Sequence, residues 1–222
     1  MQRIPALVLA GLSLLPAAVI EAAQTYTEGT DYLLLRPVQH TSVPPGKVEV
    51  MEVFSYGCPG CNNFQETLGK LRRNLPANAK VVYLPASFNP AEDWPMFQRA
   101  YLTADALGIA ERTHEAMYDA VWKTGELATF DSANRLKSRQ PSLEDAARCY
   151  ARLAGVTPTQ FLAAAKSFAV DLKVRSADAQ VMAMEVGSTP CIVVNGKYKV
   201  TMSWTDPRFV DLVEYLVAKE SH

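Results

Sequence analysis

The chain has 222 residues, a formal net charge of −1 and 49% apolar residues. This length and apolar content suffice for one domain with a substantial core, or for one domain that carries a large insertion. The near-neutral charge, without a basic tract or basic residues interleaved with aromatic ones, gives no support for nucleic-acid binding.

The N-terminal residues read MQRIPALVLAGLSLLPAAVIEAAQ. A short basic start is followed by an apolar run from Ile4 to Ile20, and then by Glu21 and small residues. Because this run is short and holds proline and glycine, it predicts a secretory signal peptide over residues 1–22, cleaved after Ala22. An uncleaved membrane anchor is the alternative. No other segment of the sequence is apolar for long enough to span a bilayer.

Two strands and a helix are predicted next. Residues 47–54 (KVEVMEVF) and 80–86 (KVVYLPA) have the composition of strands. Between them, Phe64, Leu68 and Leu71 recur at a spacing of three or four, which is the pattern of a helix with one apolar face. Since a helix must be crossed between the two strands, we expect them to be parallel.

Residues 87–175 have the composition of a helical segment. Ala, Leu, Gln, Arg and Lys are frequent, and Ser142 and Thr157 stand where helix N-caps are expected. Helices are predicted over residues 95–106, 112–123, 142–154, 158–167 and 170–185.

Strand composition returns near the C-terminus. Residues 191–194 (CIVV) and 197–200 are predicted to form a hairpin around Asn195-Gly196, because both central positions of such a turn need positive φ. A last helix follows Asp206-Pro207. The order β-α-β, helices, β-β-α predicts an α/β protein of thioredoxin-like architecture with an inserted α-helical domain. The predicted parts are a signal peptide (1–22), a first thioredoxin-like part (23–86), the helical insertion (87–175) and a second thioredoxin-like part (176–222).

Cys58 and Cys61 flank Pro59 and Gly60 where the first predicted strand passes into a helix. A helix N-terminus offers unpaired N–H groups and a partial positive charge, which stabilise a thiolate at Cys58. Cys61, one turn further on, is shielded. The spacing therefore predicts a nucleophile and leaving group at Cys58 and a resolving thiol at Cys61. Pro59 suits the first helical turn, where its missing N–H is not needed.

An inert bridge and half of a metal site are the other interpretations of this pair. A disulfide that closes so small a ring removes little entropy from the unfolded chain. A zinc site usually brings a second close pair of Cys or His. Here His40, His114 and His222 are scattered, and Cys149 and Cys191 lie far apart in the sequence. A reactive dithiol without a metal is favoured.

Glu52 interrupts an otherwise apolar strand, six residues before Cys58. On a central parallel strand it would be buried, its pKa would be raised, and it could transfer protons for Cys61 during disulfide exchange. The alternative is an edge position that is exposed to water.

A second candidate site reads Ser188-Thr189-Pro190-Cys191. A proline directly before a buried strand can hold a cis peptide bond and removes a donor from the strand edge. In thioredoxin-like folds such a proline faces the CxxC pair and docks the substrate backbone by strand addition. By pattern alone, an ordinary loop proline is the favoured interpretation, and only a family resemblance would favour the substrate-docking role.

From Ala23 onward the sequence resembles the DsbA-type thiol:disulfide oxidoreductases of the bacterial periplasm. AQTYTEGTDY is similar to the mature start of that family, EVFSYGCPGC to its acidic strand and Cys-Pro-x-Cys pair, and VGSTPCIVVNGKYKV to its cis-proline strand and hairpin. The resemblance implies a periplasmic enzyme that oxidises newly exported, cysteine-containing proteins. Nothing in the sequence suggests a cofactor or a state other than a monomer. It also implies reoxidation by an inner-membrane, quinone-linked partner of the DsbB type.

The resemblance also implies roles for single residues. Cys58 is the exposed nucleophile, Cys61 its resolving partner, Glu52 the buried acid, and Thr189 and Pro190 belong to the substrate-binding site.

The chain departs from the family pattern at two positions. Gly60 stands where the family often has His, which predicts a weaker oxidant because an imidazole that helps to hold the thiolate is missing. Gln65 stands where a second acidic residue is common, and Glu52 has no evident basic partner in the sequence.

Cys149 and Cys191 have two interpretations. They form either a bridge that ties the insertion to the thioredoxin-like part or two buried free thiols that pack as small apolar groups.

Two other functions use the same parts of the chain. One is a periplasmic disulfide reductase. The other is a non-catalytic peptide-binding chaperone with a groove lined by Trp94, Met96 and Trp122, although these residues also fit a core. A disulfide isomerase would be expected to carry a dimerisation domain, for which the segment before the first predicted strand is too short.

Overall fold

The computed structural model describes residues 25–221, so the predicted signal peptide lies outside the described residues. The strands are β1 (Tyr32–Leu34), β2 (Val48–Phe54), β3 (Ala79–Pro85), β4 (Cys191–Val194) and β5 (Tyr198–Val200). The helices are α1 (Pro59–Asn74), α2 (Trp94–Ala106), α3 (Ala110–Trp122), α4 (Leu143–Ala154), α5 (Pro158–Ala165), α6 (Phe168–Ala183) and α7 (Phe209–Lys219). Within this range, no helix is long and apolar enough to cross a membrane.

The strands form one mixed sheet in the order β1-β5-β4-β2-β3. β2 and β3 are parallel, as predicted, because α1 crosses between them. β4 runs antiparallel to both β2 and β5. Every residue of β2 is buried, since this strand has a neighbour on each side and helices over both faces. The thioredoxin-like α/β fold is confirmed.

β1 was not expected from the sequence, which places the first strand at residue 47. It is a three-residue strand that pairs antiparallel with β5 at the edge of the sheet. So short a segment shows no periodicity of its own, and its pairing partner lies far along the chain.

The five helices between β3 and β4 begin and end within two residues of their predicted bounds. Local capping explains this agreement. Ser142 and Asp145 form a reciprocal capping box at the start of α4, and Thr157 and Gln160 form another at the start of α5. The fifth of these helices, α6, contacts α2, α5 and β3, and it runs through residue 175, where the sequence suggested the end of the insertion.

The segment between β3 and β4 leaves and rejoins the sheet beside the end of β2. Pro85, the last residue of β3, pairs with Phe54, and Cys191, the first residue of β4, pairs with Val53. The residue after β2, Ser55, opens the loop that carries the chain to α1. The reactive end of the sheet is therefore where these three segments meet.

Candidate active site

Cys58 is the N-cap residue of α1. Its backbone is extended (φ −84°, ψ 116°), and Pro59 begins the helix. The backbone N–H of Cys61 donates to Cys58 Sγ at 3.3 Å, so the sulfur accepts from a helix N–H as an N-cap oxygen would. The predicted strand-to-helix position of the pair is confirmed.

Cys58 is less accessible than predicted. Only 5% of the Cys58 surface is exposed, against 0% for Cys61. The prediction that Cys58 is an exposed residue is therefore wrong. The loop before β4 covers it: the Cys58 thiol lies 3.4 Å from the carbonyl oxygen of Thr189, to which it donates. Cys58 is still the outer sulfur of the two.

The surroundings move the pKa values of the two thiols in opposite directions. A hydrogen bond from the Cys61 thiol, helped by the N–H groups of Cys61 and Gly60, lowers the Cys58 pKa to about 6 although burial opposes the shift. Burial raises the pKa of Cys61 strongly, and the neighbouring Cys58 and Glu52 act in the same direction. One sulfur is thus suited to leave as a thiolate, and the other holds its proton.

The Thr189–Pro190 peptide bond is cis, and it faces the cysteine pair. A Cβ placed on Gly60 would lie 3.3 Å from Pro190 Cδ and 3.6 Å from Cys58 Sγ, which shows how closely the three residues meet. Beside them lies an open cavity of about 420 Å³, lined by residues that include Phe64, Thr189, Pro190, Cys191, Met202 and Trp204. Thr189 and Pro190 thus border both this cavity and the Cys58 sulfur.

Glu52 is fully buried in the middle of β2, an interior strand that lies between β4 and β3, which rules out the exposed-edge alternative. Neither carboxyl oxygen has a hydrogen-bond partner among residues 25–221. Burial raises the Glu52 pKa to about 8, and Arg72 acts in the opposite direction. The carboxyl is therefore protonated at neutral pH and close enough to Cys61 to influence its titration.

Comparison with known proteins decides the family. A family profile described as thioredoxin matches residues 44–214. The thiol:disulfide interchange protein DsbA of Pseudomonas aeruginosa is 32% identical over 203 residues, which is 89% of this chain and 87% of that protein. The crystal structure of the oxidoreductase DsbA from Xylella fastidiosa superposes with a TM-score of 0.74 and 32% identity, covering 88% of this chain and 97% of that one. The crystal structure of P. aeruginosa DsbA gives a TM-score of 0.70 at 32% identity, with 88% and 94% covered.

The chain belongs to the DsbA family. It is accordingly a protein dithiol:disulfide oxidoreductase of the thioredoxin superfamily that donates disulfides in oxidative protein folding. The family resemblance noted in the sequence is confirmed.

The two departures from the DsbA pattern have structural counterparts. Gly60 leaves the space between Cys58 and Pro190 without a side chain. The Gln65 side-chain amide donates to the carbonyl oxygen of Cys61 at 3.2 Å, an uncharged contact within α1.

Sequence reasoning missed a buried aromatic cluster beneath the cysteine pair. His114 Nδ1 and the Tyr56 hydroxyl are hydrogen-bonded at 3.0 Å, and the His114 ring lies 4.0 Å from that of Tyr83 between centroids. Burial lowers the His114 pKa to about 3, so the imidazole is neutral. Tyr118 packs on the same rings. These residues come from separate elements, and no local signal in the sequence brings them together.

The residues suggested for a chaperone groove are part of the core. Trp94 and Met96 are buried, and Trp122 packs against the same apolar cluster. The Trp122 indole N–H also donates to the carbonyl oxygen of Tyr56 at 2.8 Å. These contacts hold the loop before Cys58. Trp122 also lines an open pocket of about 480 Å³, but Trp94 and Met96 are not among the residues that line it.

The bridge between Cys149 and Cys191 is absent, and all four cysteines are free thiols in this structure. Cys149 is buried in the helical core, where its sulfur lies 3.8 Å from Met117 Sδ. Cys191 begins β4, beside Val53 of β2. The interpretation as two packed thiols is the one that the structure supports. Among residues 25–221, no group of three or more His, Cys, Asp or Glu side chains could hold a metal ion.

Proposed function

We propose that the Cys58–Cys61 pair is the disulfide that this oxidoreductase donates, with Cys58 Sγ as the atom that substrates attack. The observation that carries the proposal is the position of Cys58 at the N-cap of α1, where it accepts the Cys61 N–H and faces the cis peptide bond before Pro190. A sulfur held in this way is a good leaving group, because its thiolate is stabilised.

The exchange has two steps. A substrate thiolate attacks Cys58 Sγ, the Sγ–Sγ bond breaks, and its electron pair remains on Cys61. The substrate's second thiolate then attacks the substrate sulfur of the mixed disulfide, and Cys58 departs as a thiolate. The substrate loses two electrons and gains a disulfide, while Cys58 and Cys61 are reduced.

Glu52 supplies a proton in the first step. The Cys61 thiolate formed there is shielded from water, and the strongly raised pKa of Cys61 favours its protonation. Glu52 is buried and protonated at neutral pH. It therefore gives its proton to Cys61 and takes one back when the pair is reoxidised.

Thr189 and Pro190 bind the substrate backbone in this scheme. Pro190 has no N–H to offer, and the buried hydroxyl of Thr189 has no hydrogen-bond partner among the described residues. A substrate segment added along this edge would lie over the cavity beside the cysteine pair.

The proposal also covers compartment and partners. The signal-like residues 1–22 and membership of the DsbA family support export to the periplasm, with newly exported, cysteine-containing proteins as substrates. Reoxidation by an inner-membrane partner of the DsbB type follows from the same resemblance, and the proposal takes the protein to act as a monomer.

The test is the redox equilibrium of the pair against glutathione, followed by alkylation and peptide mass. A disulfide donor should be reduced even in fairly oxidising buffer, whereas a pair that stays oxidised until the buffer is strongly reducing would indicate a reductase. Cys58→Ser should abolish oxidation of a reduced model substrate. Cys61→Ser has no disulfide to donate, and its Cys58 thiolate should attack oxidised glutathione, release one reduced glutathione and remain as a stable mixed disulfide. Cys149→Ser, remote from the site, is the matched control and should keep wild-type activity. Wild-type oxidation of the substrate by Cys58→Ser would contradict the proposal, whereas a non-catalytic chaperone would keep its peptide binding in this variant.

A further inference from the structure

Glu52 has a basic neighbour that the linear sequence does not reveal. Arg72 lies in the last turn of α1, and its guanidinium carbon is 5.4 Å from the centre of the Tyr83 ring. Tyr83 is the β3 residue that pairs with Glu52 of β2. Paired residues of neighbouring strands share a face of the sheet, so the Tyr83 ring lies beside Glu52 on the side that Arg72 covers.

Arg72 is held in place from two sides. The Tyr83 ring is on one side, and Glu115 of α3 binds the Arg72 guanidinium at 3.3 Å on the other. The Arg72 side chain is 34% exposed, and it lines a surface pocket of about 420 Å³ together with Tyr83, Glu111 and Glu115. Arg72 thus stands between water and the region around the buried carboxyl.

The other groups around Glu52 do not supply a positive charge. Its titratable neighbours are Cys58 and Cys61 of α1, Tyr56 of the preceding loop, Tyr83 of β3, Tyr101 of α2, and His114 and Tyr118 of α3. Burial raises the pKa values of the tyrosines Tyr56, Tyr101 and Tyr118, and His114 is neutral. Arg72 is the cation that acts on Glu52 among the described residues.

Tyr83, which pairs with Glu52, and His114, whose ring lies against that of Tyr83, each carry a buried polar atom. The Tyr83 hydroxyl and His114 Nε2 are both buried and have no hydrogen-bond partner among residues 25–221. Buried polar atoms without protein partners are the usual hosts of ordered water. These two atoms make the surroundings of the Glu52 carboxyl polar without supplying a charge.

We propose that Arg72 is a positioning residue for disulfide exchange: its guanidinium stabilises the Glu52 carboxylate across Tyr83. The inference rests on the proposed role of Glu52. After Glu52 has given its proton to Cys61, a carboxylate is left in the core. Arg72 stabilises that charge until the carboxylate is protonated again.

Three variants test the charge. In Arg72→Gln the midpoint of the pH titration of the Glu52 carboxyl should rise by about one pH unit, because the carboxylate loses its stabilising cation. Arg73→Gln is the matched control, since it removes the same charge from the adjacent residue, and its midpoint should stay at the wild-type value. Arg72→Lys, which keeps the charge, should lie closer to wild type than Arg72→Gln does.

The Glu52 midpoint is measured by carbon-13 NMR of glutamate-labelled full-length protein, with Glu52→Gln to assign the signal. Glu115→Gln should move the midpoint downward, opposite to Arg72→Gln, because Glu115 partly neutralises Arg72. Equal shifts in Arg72→Gln and Arg73→Gln, or no shift in either, would overturn the role of Arg72.

A parallel assay follows the rate of disulfide transfer against pH. In Arg72→Gln the pH dependence of the transfer rate should shift to higher pH together with the Glu52 midpoint. In Arg73→Gln it should stay unchanged. Normal transfer with an unmoved Glu52 midpoint rejects only the inference. Absence of disulfide transfer in the wild type rejects the proposed function itself.

Discussion

Gly60 is the residue at which this chain most clearly differs from its family pattern. The space beside it is narrow, since an added Cβ would lie 3.3 Å from Pro190 Cδ. A side chain here would extend from the point where Cys58 and Pro190 meet. The identity of residue 60 therefore affects both the stability of the Cys58 thiolate and the space beside Pro190, where substrates are proposed to bind.

We predict that Gly60→His makes the enzyme a stronger oxidant. A positively polarised imidazole beside Cys58 should lower its pKa by about one unit and shift the glutathione equilibrium about tenfold towards the reduced pair. The thiolate is followed by its ultraviolet absorbance against pH. Gly60→Ala introduces the same Cβ contact without the imidazole and should leave the pKa near its present value. Equal shifts in both variants would assign the effect to packing.

Glu52 makes stability depend on pH. Its pKa is about 8 in the folded protein and 4.5 in an unperturbed carboxyl, so its contribution is fully present below pH 4.5 and is lost as pH rises towards 8. In the oxidised protein, where the active-site sulfurs do not titrate, the free energy of unfolding should fall by roughly 3–5 kcal/mol over that range relative to Glu52→Gln. Urea titrations at several pH values measure this. Glu66→Gln, an exposed carboxylate of α1, should retain the wild-type slope.

At the scale of elements, the β4–β5 turn shows what local sequence can specify. Asn195 and Gly196 have φ values of +52° and +61°, as the hairpin prediction required. The turn also packs against the N-terminal segment: a Cβ on Gly196 would lie 2.2 Å from the backbone oxygen of Gln39. That second constraint comes from a segment remote in sequence.

We predict that Gly196→Ala destabilises the protein by more than about 3 kcal/mol, because it combines strained backbone with a backbone clash. Gly46 provides a matched control, since it also has positive φ (+83°) but meets no heavy atom of the described residues within 4 Å of its Cβ position. Gly46→Ala should cost about 1 kcal/mol. Denaturant unfolding of the two variants gives the comparison. Similar losses would show that the Gln39 contact is unimportant.

At the scale of the whole molecule, the helical segment is joined to the sheet by packing, since Cys149 and Cys191 are free thiols. We predict that the oxidised enzyme, unfolded without reductant, is alkylated at Cys149 and Cys191 and protected at Cys58 and Cys61. Peptide mass after alkylation measures this, and fully reduced protein modified at four positions is the control. Protection of both Cys149 and Cys191 from alkylation would show that these two residues form a disulfide.

Features that depend on residues close together in the sequence could be predicted, whereas features that depend on residues far apart could not. Ser142 and Thr157 signal helix starts through residues three positions away, and the CxxC pair follows its strand directly, so these features were predicted well. β1 depends on pairing with β5, and the approach of Arg72 to Glu52 depends on α1 lying over the sheet. Such contacts join residues whose proximity only the folded chain creates.

The register at the end of β2 has an evolutionary consequence. The helical segment leaves the sheet at Pro85 and returns at Cys191, opposite Phe54 and Val53 respectively. Its two attachment points thus flank the strand that delivers the reactive pair. Mutations that lengthen or reshape the helical segment can alter the rim around Cys58 without disturbing any strand pairing. Substrate preference in this family can therefore evolve through changes in the helical segment, while the cysteine pair and its redox chemistry are inherited unchanged.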